Sequence, residues 1–199
     1  MHKVFISFHS GDHSYKDLLI KFNEEHSIFI DGSVDTGDIS DDLPDDSIRQ
    51  KIRDEYLRDT TVTIVLVGQD TKGRKHVDWE IYSSMFDGVK NKRSGVIVVL
   101  LPDANPNDFW TAAHENEKTS IYPDTTNWTS VDNRAEYERR YPYLPARIID
   151  NLLSKDVKLS VVPWEKLDTN TLPLLIDNAY ECRASNQYDL SRNMRRANA

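Results

Sequence analysis

Two stretches constrain this chain most: Thr61–Val67 and 95-GVIVVLLP-102. Both are nearly unbroken runs of β-branched and aliphatic residues. A strand with one wet face alternates apolar and polar positions. A run that is apolar throughout is expected where both faces are covered, as in a parallel sheet. Parallel neighbours need long crossovers, usually helices, so helical patterns should lie between the runs.

They do. Val4–Phe8 reads as a first buried strand, and Asp12–Glu25 follows with Tyr15, Leu18, Leu19 and Phe22 at i, i+3, i+4, i+7 spacing, an amphipathic helix. Ser27–Asp31 reads as a short second strand. Ile48, Ile52 and Tyr56 mark a second helix that Asp45, Asp46 or Ser47 is placed to cap. A helix from about Val77 to Gly88 follows the Thr61–Val67 strand. Further on, 144-LPARIIDNLLS-154 reads as helix, 158-KLSVVPW-164 as strand and Leu172–Arg183 as a last helix. The order predicts an open, mostly parallel five-stranded α/β sheet with helices on both faces and a flavodoxin-like layout. Such folds place ligand sites beyond the carboxyl ends of their strands. The length of 199 residues suits one domain over residues 1–199, with an insertion at about 103–144 and a C-terminal helix and tail at about 171–199. The insertion holds Trp110, Tyr122, Trp128, Tyr137, Tyr141 and Tyr143, too many aromatics for a floppy loop, and Thr129–Arg140 is placed to hold a short helix. It reads as an elaboration capping one sheet edge.

Composition excludes several functions. The chain has 25 Lys and Arg against 33 Asp and Glu, a net charge of −8, which disfavours tracking a nucleic-acid backbone. A short basic cluster, Arg192, Arg195 and Arg196, lies in the C-terminal tail and reads as solvated. The single cysteine, Cys182, leaves no intramolecular disulfide or Cys-based zinc site and fits a reducing compartment. The N-terminus runs straight into a strand-like segment and apolar runs are too short to span a bilayer, so the expectation is a soluble cytoplasmic protein with no membrane partner. No glycine falls in a dinucleotide or Walker pattern, and zincin, Cys-x-x-Cys and serine-hydrolase motifs are missing. The acidic loop 31-DGSVDTGDISDDLPDD-46 does not keep EF-hand spacing and reads as solvated. No metal site is expected. What remains is the set of loops after the strands, carrying Ser7, Phe8, His9, Asp12, Asp31, Gly32 and Gln69, and the front of the helix that holds Glu80.

Several segments together resemble a known family. The opening, 4-VFISFHSGDH-13, resembles the first box of TIR domains. The unit 62-VTIVLVGQDTKGRKHVDWEIYSS-84 resembles their strand, turn and helix, where the helix reads roughly W-V-x-x-E-I. Val77, Glu80 and Ile81 match that pattern, and His76 stands in the tryptophan position. The subgroup most like this chain is the prokaryotic TIR-like proteins, including the TIR protein of Thoeris anti-phage defence. The resemblance implies an enzyme that consumes NAD⁺ as substrate, with no cofactor. Glu80 would assist cleavage of the nicotinamide–ribose bond, and Ser7, Phe8, His9, Asp12, Asp31, Gly32 and Gln69 would surround the substrate. It also implies a cyclic ADP-ribose isomer as a signal to a separate effector protein, and TIR–TIR self-association. The alternative is a catalytically silent TIR scaffold, and a weaker one is a binder of another nucleotide. From position alone, Glu80 would be an ordinary solvated helix residue. Phe5 reads as core and Trp79 as packing.

Overall fold

The computed structural model describes residues 1–33, 43–89 and 91–199. Its elements run β1 (Lys3–Ser7), α1 (His13–His26), β2 (Ile30–Asp31), α2 (Asp45–Lys51), β3 (Val62–Val67), α3 (Lys75–Met85), β4 (Gly95–Leu100), α4 (Glu115–Ile121), α5 (Arg134–Arg140), α6 (Ala146–Leu152), β5 (Ser160–Pro163) and α7 (Thr171–Cys182). All strand pairs are parallel and the order is β2-β1-β3-β4-β5. This is the flavodoxin-like order, and each strand-to-strand step is bridged by helix.

The side-chain alternation of the strands sorts the core into layers. Val4 and Ile6 of β1, Ile64 and Leu66 of β3 and Val99 of β4 face one side and pack on Leu19 of α1 and Leu172, Leu175 and Ile176 of α7. Val65 and Val67 of β3 and Val96 and Val98 of β4 face the other, against Val77, Ile81 and Met85 of α3 and Ile148 and Ile149 of α6. The unbroken apolar runs of β3 and β4 thus have a physical cause: every position is buried.

Several expectations change. The second strand keeps only Ile30 and Asp31 rather than Ser27–Asp31. Ser27 sits in the left-handed region (φ 53°) and ends α1. The Asn23 side chain then accepts from the backbone amides of Ile28 and Phe29 and donates to the Phe29 carbonyl, so these groups are unavailable for a ladder. Pro44, not an acidic or seryl side chain, precedes the first turn of α2, and that helix continues as a π-helical turn over Ile52–Tyr56. The acidic-loop reading falls largely outside the described residues. The insertion holds two helices, α4 and α5, where one was expected. Its residue Thr111 exchanges both backbone hydrogen bonds with Val161 of β5 (2.9 and 2.8 Å), adding an antiparallel rung at that sheet edge.

The largest correction is the tail. It is packed rather than solvated. Arg147 of α6, fully buried, donates to both oxygens of Asp78 on α3 (2.9 and 3.1 Å), and also to the carbonyls of Arg192 and Asn193. The Arg195 amide donates to the same Asp78 carboxylate (2.8 Å), Trp79 Nε1 donates to the Arg195 carbonyl (2.7 Å), and Met194 is buried against Trp79. Two arginines of the basic cluster are paired within the protein, Arg192 with Asp150 and Arg196 with Asp45. Removing one partner of a buried, fully bonded ion pair costs about 3–5 kcal/mol. Arg147→Met is therefore expected to destabilise the protein by roughly that amount in urea denaturation and to expose residues 186–199 to rapid hydrogen exchange. A tail that stays protected in this variant would show that it is held by other contacts.

Candidate active site

Face alternation puts two polar residues of the sheet under α3, Ser7 at the end of β1 and Thr63 of β3. The helix answers with two polar residues at i, i+4 spacing, Glu80 and Ser84. Ser7 Oγ donates to Glu80 Oε2 at 2.6 Å, and Thr63 Oγ1 lies 2.8 Å from Ser84 Oγ. The spacing is metrical. Thr63 is level with Phe5, two residues before Ser7, or about 6.6 Å along the strands. Four helix residues rise about 6 Å. A helix running antiparallel to the strands therefore meets both polar spots at once.

Glu80 is not the solvated residue its position alone suggests. It is 6% exposed, and Ser7 and Ser84 are fully buried. Burial pushes its carboxyl up from 4.5 to about 7, opposed by the hydrogen bond from Ser7. Among the described residues that is the one hydrogen bond the carboxylate receives. A second buried carboxylate, Glu117 of α4, provides a contrast. It accepts from Ser160 Oγ (2.6 Å), the Ala113 amide (3.1 Å) and Asn178 Nδ2 (2.9 Å). Three donors bond the Glu117 carboxyl and tie the insertion to β5. Glu80, with one donor, is held near the balance between its two forms.

The other residues expected around the substrate separate into groups. His9 and Asp12 stay at the carboxyl end of β1. The Asp12 amide donates to the His9 carbonyl (2.7 Å), and Asp12 Oδ2 accepts from Thr71 Oγ1 (3.4 Å). The Asp12 carboxylate lies against Gly68, just past β3, where any Cβ would be 2.6 Å from either oxygen. Glycine is what permits that approach. Burial raises the Asp12 carboxyl, His9 lowers it, and Asp103 and Asp70 raise it. Phe8 does not join Glu80. Alternation turns it to the opposite face, where it packs on the α1 layer with its ring edge-on to His13 (5.7 Å). Asp31 and Gly32 leave the sheet level with Val4 and Phe5, about 7–10 Å short of Ser7 along the strand axis. Asp31 accepts from the Ser33 amide in a tight turn, and the Gly32 amide donates to the Val4 carbonyl. Gln69 reaches sideways to the Asp103 carbonyl (2.9 Å) and lines a cavity of about 490 Å³ with Lys72, Tyr141 and Arg195. Glu80 is not among the residues lining that cavity. Among the described residues, no group of three or more His, Cys, Asp or Glu is placed to hold a metal ion, and no helix is long and apolar enough to cross a membrane.

Sequence reasoning missed Asp78, two residues before Glu80. Helix geometry turns the two about 200° apart, so Asp78 faces Arg147 and the tail while Glu80 faces Ser7. No local pattern announces an ion pair between residues 69 apart in the chain.

The raised Glu80 pKa has a stability consequence. Its folded value lies above its unfolded value, so the fold favours the neutral form. That contribution is present in full below about pH 4.5 and is lost as pH rises through about 7. At roughly 1.4 kcal/mol per pKa unit the loss is about 3 kcal/mol. Urea titrations against Glu80→Gln, which does not ionise, are expected to show wild type losing that much relative stability between pH 4.5 and 8. A pH-independent difference would mean that Glu80 titrates normally.

Residues 5–106, just over half of the chain, match the family described as "Thoeris protein ThsB, TIR-like domain". The match runs from Phe5 within β1 through β4 and includes Ser7, Asp12, Gly68 and Glu80. No curated protein and no solved structure matches. With its 2-1-3-4-5 parallel sheet and its helix carboxylate seated on the end of β1, this chain belongs to the TIR-like domain family of the Thoeris protein ThsB.

Proposed function

We propose that this protein serves anti-phage defence by cleaving NAD⁺ at the nicotinamide–ribose bond, with Glu80 as the catalytic carboxylate. The observation that carries this reading is the buried, singly bonded Glu80 at the carboxyl end of β1, with its carboxyl raised to about 7. Nicotinamide in NAD⁺ is cationic. When the C1′–N bond breaks, the ring takes the bonding pair and leaves neutral, so no general acid is required. The ribose becomes oxocarbenium-like, and an ionised carboxylate opposite it stabilises the developing charge. The positive nicotinamide ring itself favours ionisation of Glu80 on binding. A hydroxyl or ring nitrogen of the same molecule then attacks C1′ to close a cyclic ADP-ribose isomer, or water attacks to give ADP-ribose. Where the nucleophile is a hydroxyl, a carboxylate with raised basicity is suited to take its proton. Ser7 orients the carboxylate. His9, Asp12, Asp31, Gly32 and Gln69 are proposed to contact the substrate from the surrounding loops. Phe8, on the far face, is proposed only to support the β1 end. The cyclic product would act on a separate effector, and assembly through TIR–TIR contacts would accompany activity.

A second reading is favoured by one observation. The Ser7–Glu80 bond has the same form as the Thr63–Ser84 bond, and both pin α3 to the sheet. In a silent scaffold Glu80 would be no more than the second pin. Glu80→Gln separates the two, because the amide oxygen still accepts from Ser7. Mass spectrometry of NAD⁺ incubated with the protein, or of extracts from phage-challenged cells expressing it, is expected to show products that fall at least 100-fold with Glu80→Gln. Full activity in that variant would remove Glu80 from catalysis. The pH profile gives a further test. The rate should rise with pH along a limb set by Glu80, and Ser7→Ala, which removes the bond that favours the charged form, should move that limb to higher pH. An unmoved limb in Ser7→Ala would assign it to another group.

A further inference from the structure

The insertion contains a cavity of about 500 Å³ lined by Trp110, Lys118, Trp128, Tyr137, Arg140 and Tyr141 among others. It lies by the outer edge of β5, where Thr111 pairs with Val161. β1 is separated from that edge by β3, β4 and β5, so Glu80 is on the order of 15–20 Å away across the sheet. The family match ends at residue 106, so every residue of this cavity belongs to chain beyond the matched span.

Its walls are held in place before any ligand arrives. Trp110 stacks on buried Tyr122 (5.0 Å between centroids, 5° between planes), and Trp128 meets Tyr122 edge-on at 5.9 Å. Thr111 Oγ1 and Tyr141 Oη are 2.7 Å apart. Arg140 lies over the Phe109 ring, donates to Thr129 Oγ1 (3.2 Å) and is braced from the side by Glu136. Lys118 sits 5.4 Å from the Trp128 ring centre and is paired with Glu115. The charged residues among those lining the cavity are both cations, in a chain of net charge −8. A cavity of this size suits a small organic ligand. Ordered indole and phenol rings suit a planar base, and a lysine and an arginine suit a phosphate. Rings already locked lose little freedom on binding.

We propose that the insertion forms a second ligand site, separate from Glu80, for a nucleotide carrying at least one phosphate. The base stacks among Trp110, Trp128 and the tyrosines, and the phosphate meets Lys118 and Arg140. This inference does not depend on Glu80 being catalytic.

The test is titration of the purified full chain with AMP, read by tryptophan fluorescence, with adenosine and inorganic phosphate as separate arms. Wild type and Glu80→Gln are expected to give the same saturable change. Trp128→Ala should weaken binding at least tenfold, as should the double variant Lys118→Gln with Arg140→Gln. Adenosine and inorganic phosphate should each bind at least tenfold more weakly than AMP. Ser130→Trp, which fills the cavity while leaving its rings and cations in place, should block binding even if Trp128→Ala fails to fold. Lack of saturable AMP binding into the millimolar range would overturn the proposal. So would binding lost in Glu80→Gln, binding unchanged in Ser130→Trp, or adenosine binding as tightly as AMP.

Discussion

The structure depends on how α3 is seated. The helix is gripped on two sides by residues two positions apart. Asp78 binds the buried guanidinium of Arg147 and, through it, the C-terminal tail, while Glu80 receives the hydroxyl of Ser7 from the end of β1. The apolar stripe of Val77, Ile81 and Met85 lies on the sheet between them. Packing alone would let a helix slide or rotate by fractions of a turn at modest cost. Directed bonds on both flanks set its register against the strands. The position of the carboxylate relative to the β1 loop follows from that register, and so does whatever chemistry the carboxylate carries out.

Among the described residues two buried serine–glutamate pairs share the same 2.6 Å bond, and their difference separates structure from reactivity. Glu117 has three donors and fastens the insertion to the sheet edge. Glu80 has one among the described residues, and burial wins over it. A carboxylate held this way is costly to the fold at neutral pH. Such a cost is common at functional sites, where a group is tuned for a task rather than for stability. The Asp12 carboxylate against Gly68 follows the same rule at the mouth of the same strands, since burial outweighs its contact with Thr71.

Much of the fold was legible in the sequence because it is written in local patterns. The uninterrupted apolar runs of β3 and β4, the i, i+3, i+4 spacing of α1 and the order of the elements are enough to specify a parallel sheet with crossing helices. The misses have one character. β2 shrank because a single side chain, Asn23, took the backbone donors of Ile28 and Phe29. The tail packed because Arg147 and Asp78, distant in sequence, found each other and left carbonyls of the tail to be bonded. α4 was hidden because its stretch, 115-ENEKTSI-121, is mostly polar, and Glu117 is buried through partners rather than by hydrophobicity. For the site, the strand-end rule and the family resemblance single out Ser7 and Glu80, but not their mutual bond. Phe8 is next to Ser7 in sequence, but alternation sets it on the opposite face, against the α1 layer.

The central physical claim is that Glu80 is held near half-ionisation at neutral pH by burial against a single donor. Carbon-13 NMR of the carboxyl groups in glutamate-labelled protein, with the Glu80→Gln variant to assign the resonance, measures this directly. The account predicts that one carboxyl signal, missing in the variant, titrates with a pKa near 7. A Glu80 signal that titrates near the ordinary value of about 4.5 would contradict it.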